Sequence, residues 1–393
     1  MVNNRLASID ILRSLTMLLM IWVNDFWTLK KIPKWLQHAE ASEDYLGFSD
    51  IIFPLFLFIV GLSIPLAIEH RRRKGQSYWH IGKHTLIRSA SLIIIGVFMV
   101  NYETIHAESL LINRFLFCII MALGVGFIWM NWNRSPVPKK WHLPLQLFGV
   151  VLFVFLAIIY KGGEHGELWM TTQWWGILGL IGWAYLINVL LFLSFKGNLA
   201  FMAGVFLLFT TLAALEFSLG LPPLPDSLFF LQPIYSGTIP AFTSAGIIAT
   251  LVVKNLSTKK EYFTPITLVA VGSICLAFGL LTRPIWGISK ILGTPSWLGI
   301  CAGIGFIVFA IIHVVADLKG KTKWASLISA AGTATFTCYM LPYIIDPSIQ
   351  LIGINLPEPL YIGVIGLIKS FIYALFVVLL TGMLERQGFK LKL

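Results

Sequence analysis

The feature that most constrains this chain is a set of polar and ionisable side chains in and between its first two hydrophobic segments, 8–27 and 50–70. A charged side chain at the centre of a membrane helix costs about 3 kcal/mol in insertion measurements, so such groups usually mark a function. We therefore expect a functional site within Arg5–Gly61. Its candidate residues are Asp10, Arg13, Asn24, Asp25, His38 and Asp50.

The composition predicts a membrane protein. Hydrophobic residues make up 57% of the 393 residues and charged residues only 12%, whereas a soluble domain has about 25% charged residues. No polar region separates the hydrophobic runs, so we expect an all-α transmembrane bundle forming one domain over 1–393, with a motif-bearing core at 5–101. The net charge of +11 lies mostly in short loops, where it sets orientation in the lipid bilayer. It does not indicate a nucleic-acid partner.

Twelve apolar runs are long enough to cross a bilayer of about 30 Å. With the N-terminus inside, 20 of the 29 lysines and arginines fall at the cytoplasmic ends and loops, as the positive-inside rule requires. We expect both termini in the cytoplasm and the chain in a bacterial inner membrane. The predicted spans are 8–27, 50–70, 82–101, 110–132, 144–160, 173–194, 199–216, 236–253, 264–282, 295–316, 324–344 and 361–384.

The cysteine and histidine spacing does not predict a metal site. All four cysteines lie within apolar runs, and neither CxxC nor HExxH occurs, so we interpret the thiols as buried apolar side chains. The first apolar run contains Asp10 and Arg13 and lacks a small-residue cleavage site. It is therefore predicted to remain as a helix.

The first helix has a polar face. Asp10, Arg13 and Asn24 follow one another by helical steps, so they share a side. Arg13 and Asn24 lie about 16 Å apart along the axis. The pair Asp10–Arg13 either fixes the start of the helix or begins a path lined by this face.

The predicted outer loop between the first two spans contains His38. Histidine exchanges a proton near neutral pH and can act as a general base or as a nucleophile, although many loop histidines are simply solvated. Asp50 opens the second helix, where a carboxylate favours the positive end of the helix dipole. The same carboxylate could instead orient His38 or bind a polar substrate.

Three other segments have two interpretations each. A second outer loop contains Arg283 and Lys290, which could hold the loop or bind an acidic sugar. Trp169, Trp174 and Trp175 are typical of an interfacial aromatic belt, and sugar stacking is the alternative. The basic run 71–74 fits the topology and could also bind an anionic nucleotide or lipid headgroups.

The early motifs resemble the family of heparan-alpha-glucosaminide N-acetyltransferase and its bacterial relatives. The first is R-L-A-S-I-D-I-L-R-S at 5–14, with Ser14 where the family has glycine. Weaker similarity to the family continues at 236–240 and 289–296. A run beginning at Arg114 is similar to another family motif, but Met121 stands where that motif has its second arginine. The remaining early matches are Val23-Asn24, His38, and Asp50-Ile51-Ile52-Phe53-Pro54 followed by Phe56, Phe58 and Gly61.

This resemblance implies a membrane acetyltransferase that uses cytoplasmic acetyl-CoA to acetylate an amino sugar on the far side. It implies His38 as the catalytic histidine and Asn24 as the active-site asparagine, and it suggests a homodimer. On this interpretation the remaining candidates divide into two groups. Asp50, Asp25, Lys290 and Arg283 would contact or position the sugar, and Asp10, Arg13, Ser14, Arg88 and Arg114 would contact the CoA.

Two rival functions remain at this stage. An inner-membrane transporter of an amino sugar or a muropeptide-derived sugar fits twelve helices and inside termini, although the two halves show no convincing repeat. A structural or lipid-binding membrane protein is the weaker alternative. Under the transporter hypothesis, acetyl-CoA would be irrelevant.

Overall fold

The protein is all-helical, as predicted, in a computed structural model that describes residues 6–256 and 262–393. Arg5, Lys259 and Lys260, which contribute to the predicted orientation, lie outside the described residues. The chain divides into two compact units. The first contains residues up to Thr16, Pro33–Ala90 and Leu180–Ser326, and the second contains Met17–Ile32, Ser91–Gly179 and Leu327–Leu393.

The described residues form fifteen α-helices, several 3₁₀ turns and one π-helical segment. The α-helices are α1 (Ala7–Asn24), α2 (Ser49–Arg73), α3 (Tyr78–Glu103), α4 (Arg114–Trp129), α5 (His142–Ile159), α6 (Gly176–Ser194), α7 (Leu199–Leu219), α8 (Gln232–Tyr235), α9 (Thr238–Leu256), α10 (Phe263–Trp286), α11 (Pro295–His313), α12 (Ser329–Thr333), α13 (Thr335–Met340), α14 (Pro342–Ile352) and α15 (Gly363–Arg386). The other segments are Phe26–Thr28, Lys34–Leu36, Ala107–Ser109, Lys139–Trp141, Asp226–Leu231, Lys323–Ile328 and Glu358–Tyr361, with the π-helix at Val314–Leu318.

The number of spans differs from the predicted twelve. Ten helices of the described chain are long and apolar enough to cross a membrane. An eleventh span arises if Lys323–Thr333 and Thr335–Ile352, which meet at a bend of 72°, count as one. The predicted span at 110–132 is shorter than expected, because α4 covers only Arg114–Trp129. The helix begins later than predicted because the Asn113 side chain caps it, accepting a hydrogen bond from the Phe115 N–H. The apolar pattern of the sequence does not indicate this cap.

Close contact between α2 and α9 fixes the helix that begins with Asp50. A Cβ atom added to Gly61 would lie 2.0 Å from the Thr243 carbonyl oxygen, and one added to Gly246 would lie 1.9 Å from that of Phe58. Small residues allow membrane helices to approach this closely. The Thr243 hydroxyl also donates to the Leu57 carbonyl, so α2 is held rigidly within the first unit.

The hairpin of α10 and α11 positions the loop that contains Lys290. Its helices also meet through glycines, since a Cβ on Gly279 would lie 2.5 Å from the Ser296 carbonyl oxygen. The Thr294 hydroxyl caps α11 by accepting from the Trp297 N–H, which is a standard way to satisfy a helix start. Residues 287–294 therefore form a short loop between two tightly packed helices.

The second unit contains the end of α1, the helices α4 and α5, and the C-terminal helices. The segment after α1 is joined to the start of α15 by two backbone hydrogen bonds, Lys30 N to Tyr361 O (2.8 Å) and Gly363 N to Lys30 O (2.9 Å). The Trp22 indole N–H donates to the Leu367 carbonyl at 3.1 Å. These bonds hold the end of α1 beside the first turns of α15.

Candidate active site

Asp50 lies in the first turn of α2 and is almost completely buried, with 1% of its surface exposed. One carboxylate oxygen, Oδ2, accepts hydrogen bonds from the backbone N–H groups of Ala39 (2.9 Å) and Gly47 (3.2 Å). The helix dipole and these two donors stabilise the charged carboxylate. The Asp50 carboxylate is thus engaged by the loop backbone and by His38.

His38 is held by the other oxygen of the same carboxylate. Its Nδ1 lies 2.7 Å from Asp50 Oδ1, while 46% of the imidazole side chain remains exposed. In the tautomer with its proton on Nδ1, that nitrogen donates to the carboxylate and Nε2 keeps a lone pair that can accept a proton. This is the arrangement in which a carboxylate fixes the tautomer and the orientation of a basic histidine.

Lys290 completes this group from the loop between α10 and α11. Its Nζ atom lies 3.1 Å from His38 Nδ1 and 3.8 Å from Asp50 Oδ1. Burial lowers the pKa of the Lys290 ammonium, and the nearby Asp50 carboxylate opposes that shift. The structure thus brings together His38, Asp50 and Lys290, which lie far apart in sequence.

Arg283 holds the outer loop through Asp44. Its Nε donates to Asp44 Oδ2 at 2.9 Å, and a terminal guanidinium nitrogen donates to the Asp44 carbonyl at 3.0 Å. Asp44 Oδ1 also accepts from the Ile288 N–H at 2.7 Å. The guanidinium is therefore engaged in linking the two loops, which is one of the two roles expected for it.

Gly47 allows the loop to fold back onto itself beside Asp50. A Cβ atom at this position would lie only 1.7 Å from the Gln37 carbonyl oxygen. The next residue, Phe48, donates its N–H to the Trp35 carbonyl at 2.7 Å. This close backbone approach brings the Gly47 N–H within hydrogen-bond distance of the Asp50 carboxylate. Gly47 was not among the residues predicted to form the site.

The candidates near the start of α1 form a separate group in the first unit. Arg13 donates to Asp10 Oδ1 at 3.3 Å and to the Ser63 hydroxyl at 2.6 Å. The Ser14 hydroxyl donates to the Asp10 carbonyl at 2.9 Å and is buried. The ion pair Asp10–Arg13 is therefore present, and Arg13 also ties α1 to α2.

Two other candidate arginines lie over aromatic rings, each within its own unit. The guanidinium carbon of Arg88 is 4.7 Å from the centre of the Tyr185 ring in the first unit. That of Arg114 is 5.4 Å from the centre of the Tyr102 ring in the second unit. The buried Nε of Arg88 has no hydrogen-bond partner among the residues that the structure describes. This donor suits an anionic or carbonyl oxygen.

Asn24 and Asp25 lie at the end of α1, within the second unit. Asp25 Oδ2 accepts from Lys369 Nζ at 2.7 Å and from the Ser370 hydroxyl. Asn24 is exposed and lines a small cavity with Asp25, Asp346 and three tyrosines. Neither Lys369 nor Asp346 was predicted as a site residue, because Lys369 lies within the predicted span 361–384 and the span predicted at 324–344 ends before Asp346.

A second histidine–aspartate pair, formed by His313 and Asp317, was also missed. His313 Nδ1 lies 2.7 Å from Asp317 Oδ2, and Asp317 Oδ1 accepts from the Ser8 N–H at 3.2 Å. The pair follows the end of α11, where the helix widens into the π-helix at Val314–Leu318. A histidine four residues before an aspartate in an apolar segment was the signal that could have identified it.

The early part of the chain matches a known family. Residues 5–172 match the family described as heparan-alpha-glucosaminide N-acetyltransferase, catalytic. The chain is 34% identical over 160 residues to heparan-alpha-glucosaminide N-acetyltransferase of Mus musculus, covering 37% of this chain and 22% of the relative. It is 34% identical over 158 residues to the Homo sapiens protein of the same name, covering 39% of this chain and 19% of the relative. The matched part thus spans about a fifth of the length of these relatives.

Proposed function

We propose that the chain acetylates the amine of a glucosamine-like sugar, because residues 5–172 match the family described as heparan-alpha-glucosaminide N-acetyltransferase, catalytic. The donor is acetyl-CoA from the cytoplasm, and the acceptor is bound on the periplasmic side of a bacterial inner membrane. The chain acts as one membrane domain, and a homodimer is the expected assembly. The observation that carries the proposal is the pair His38–Asp50, which lies inside the matched segment and leaves 46% of the imidazole side chain exposed.

His38 acts as the general base. Acetyl-CoA supplies a thioester, whose carbonyl carbon is attacked by the amine nitrogen as the C–N bond forms and the C–S bond breaks. The Nε2 atom of His38 accepts the proton that the amine loses, while Nδ1–H remains bonded to Asp50. The thiolate of CoA leaves and takes up a proton. A positioned general base contributes about 10²- to 10⁴-fold to such a step.

A second route starts from the same imidazole. His38 Nε2 would attack the thioester itself, and the acetylated histidine would then pass the acetyl group to the amine. The two routes differ in whether free CoA appears before the acceptor is added. Rapid-quench measurement of CoA release without sugar, in amounts equal to the enzyme, would support the acetyl-histidine route.

Asn24 and the cationic groups stabilise charge in this scheme. The Asn24 carboxamide donates to the oxygen that becomes negative as the amine attacks. Lys290 holds a positive charge beside the His38–Asp50 pair, and Arg283 keeps the loop closed through Asp44. Asp25, whose carboxylate is already paired with Lys369, shapes the acceptor site.

The proposed CoA contacts are Asp10, Arg13, Ser14, Arg88 and Arg114. Arg88 and Arg114 are the best supported of these, because the buried Nε of each lacks a hydrogen-bond partner in the described chain and an acceptor oxygen would satisfy it. Arg13 would need to retain its bond to Ser63 while a ligand binds. Their replacement should raise the KM for acetyl-CoA more than the KM for the sugar.

The transferase proposal is tested with purified full-length protein, acetyl-CoA and a panel of amino sugars. The measured products are free CoA and the N-acetylated sugar, compared between the wild type and Asn24→Ala. We expect product from the wild type that depends on acetyl-CoA, with a loss of about 10²-fold in the variant. Absence of product across the whole panel would contradict the proposal.

A transporter remains the second candidate, and one observation favours it. The span formed by Lys323–Thr333 and Thr335–Ile352 bends by 72°, and discontinuous helices often form substrate sites in transporters. A transporter would carry labelled amino sugar into proteoliposomes without acetyl-CoA. Uptake that is unchanged in His38→Ala would support this candidate over the enzyme.

A further inference from the structure

The turn between α2 and α3, in the first unit, concentrates positive charge. Basic side chains occupy the four consecutive positions 71–74, and Lys83 follows in the second turn of α3. The only carboxylate within 69–84 is that of Glu69. It already accepts hydrogen bonds from Arg73 and from Lys254, each at 2.7 Å. The turn therefore keeps a strong positive charge.

Three cations of the turn are not neutralised by the protein. Arg72, Lys74 and Lys83 are exposed and have no carboxylate within 4.0 Å among the residues that the structure describes. The Arg72 guanidinium is nevertheless held in place, because its carbon lies 4.2 Å from the centre of the Tyr78 ring and Nη1 donates to the Gln76 carbonyl at 2.9 Å. A guanidinium has five N–H donors, so this arrangement presents an oriented cation to an anionic ligand.

Arg71 joins this cluster to α3. Its Nη1 donates to the Gln76 side-chain oxygen at 3.1 Å, and its Nη2 lies 2.8 Å from Nε2 of His84. His84 is the neighbour of Lys83 in α3. The end of α2 and the first turns of α3 thus form one connected basic structure within a single unit.

Lys83 lies on a face of α3 that is exposed along the candidate membrane span. Helical steps of three and four residues place on this face Trp79, Lys83, Leu86 and Ile87. Trp79 is 81% exposed, Leu86 51% and Ile87 59%. Tryptophan is typical of the level of the lipid headgroups, and exposed aliphatic residues beyond it face the acyl chains. Lys83 therefore lies at the boundary where a phospholipid has its phosphate above its chains.

From this arrangement we infer that the α2–α3 turn binds the headgroup of an acidic phospholipid such as phosphatidylglycerol. The phosphate is held by Arg72, Lys74 and Lys83, and an acyl chain lies along Leu86 and Ile87. Phosphatidylethanolamine binds more weakly, because its own ammonium group cancels the charge of its phosphate. A soluble nucleotide would gain nothing from the exposed aliphatic residues. The inference goes beyond the proposed transfer reaction and does not depend on it.

The test is native mass spectrometry of the full-length protein in detergent, titrated with phosphatidylglycerol or with phosphatidylethanolamine of the same acyl chains. We expect the wild type to bind the first phosphatidylglycerol at least about ten-fold more tightly than phosphatidylethanolamine. Arg72→Gln combined with Lys83→Gln should remove most of this preference, since each basic residue near an acidic lipid contributes about five-fold, the equivalent of about 1 kcal/mol. Equal Kd values of the two lipids for the wild type would overturn the site.

A matched pair of single variants separates the site from net charge. Lys83→Gln should weaken phosphatidylglycerol binding about five-fold, and Lys83→Arg, which keeps the charge, should bind as the wild type does. Lys196→Gln removes an exposed lysine from the turn between α6 and α7 of the same unit, and it should also match the wild type. Equal losses in Lys83→Gln and Lys196→Gln would show a response to net charge alone and would overturn the site.

Competition tests the same inference without any variant. Coenzyme A and glycerol 3-phosphate carry phosphate groups but no acyl chains, so neither should displace bound phosphatidylglycerol from the wild type when added in excess. Displacement by coenzyme A as effective as that by added phosphatidylglycerol would assign the turn to a nucleotide and overturn the lipid site. Displacement by glycerol 3-phosphate would overturn it as well, because the turn would then bind phosphate without using the exposed face of α3.

Discussion

The two units contain carboxylates that are placed in opposite ways. In the first unit, Asp50 is buried at a helix start and its acceptors are used by His38, Ala39 and Gly47. In the second unit, Asp346 is exposed to a cavity and accepts from a single tyrosine. A buried carboxylate whose two oxygens are both hydrogen-bonded to the protein positions its neighbours, whereas an exposed one with free acceptors can bind a ligand. We therefore expect loss of Asp50 to affect the rate of transfer.

The largest effect is expected at Asp50. Asp50→Asn should reduce kcat about 10³- to 10⁴-fold, because an amide that donates towards Nδ1 would favour the wrong tautomer of His38. Steady-state kinetics would show the loss in kcat with little change in the KM for glucosamine. A change confined to KM would contradict this role of Asp50.

A large loss of stability is expected at Gly47. Gly47→Ala would place Cβ at 1.7 Å from the Gln37 carbonyl oxygen, and relieving such a contact typically costs about 1–3 kcal/mol. Thermal unfolding should shift to lower temperature, and activity should fall because the N–H bond to Asp50 is displaced. Gly82→Ala is the control, since its Cβ would meet no atom within 4 Å. Equal melting temperatures of the two variants would contradict this account of the loop.

A moderate change in pH dependence is expected at Lys290. Its lowered pKa means that the ammonium loses its proton at a lower pH than an exposed lysine does. If the charge beside His38 is required, wild-type activity falls as pH rises through that lowered pKa. Lys290→Arg stays charged. In a plot of kcat/KM against pH, the activity of this variant should therefore begin to fall at a higher pH than that of the wild type. Superimposable alkaline limbs would show that the Lys290 charge is not used.

The smallest effect is expected for the ion pair between Asp44 and Arg283, which links the two loops. Both side chains are about half exposed, and exposed ion pairs contribute about 0–1 kcal/mol. Arg283→Gln should lower unfolding stability by less than about 1 kcal/mol and reduce kcat only several-fold. A loss of activity as large as that of Asp50→Asn would show that Arg283 contacts substrate instead of Asp44.

The sequence predicted the helical class and most spans, because apolar runs of sufficient length can hardly form anything else in a bilayer. It also singled out His38, Asp50 and Lys290, since polar groups between or beside membrane helices are rare. It could not choose the role of Asp50, which depends on burial and on the backbone N–H groups of Ala39 and Gly47. Those donors reach the carboxylate only through the folded loop.

The residues that were not predicted from the sequence were missed for a common reason. Asp346 and the His313–Asp317 pair acquire meaning from neighbours brought close by packing, such as Tyr373 and the Ser8 N–H. The bend at the broken span also leaves no mark in the apolar pattern, because the two halves together are apolar enough to count as one span. Contacts between distant segments cannot be deduced from periodicity in one sequence.

The most direct test of the central claim is the initial rate of acetyl transfer from acetyl-CoA to glucosamine in wild type and His38→Ala. His80→Ala, which removes an exposed histidine of the same unit, is the matched control. If His38 is the base or the acetyl acceptor, its variant should lose at least about 10²-fold in kcat while His80→Ala keeps the wild-type rate. Transfer by His38→Ala at the wild-type rate would contradict the account.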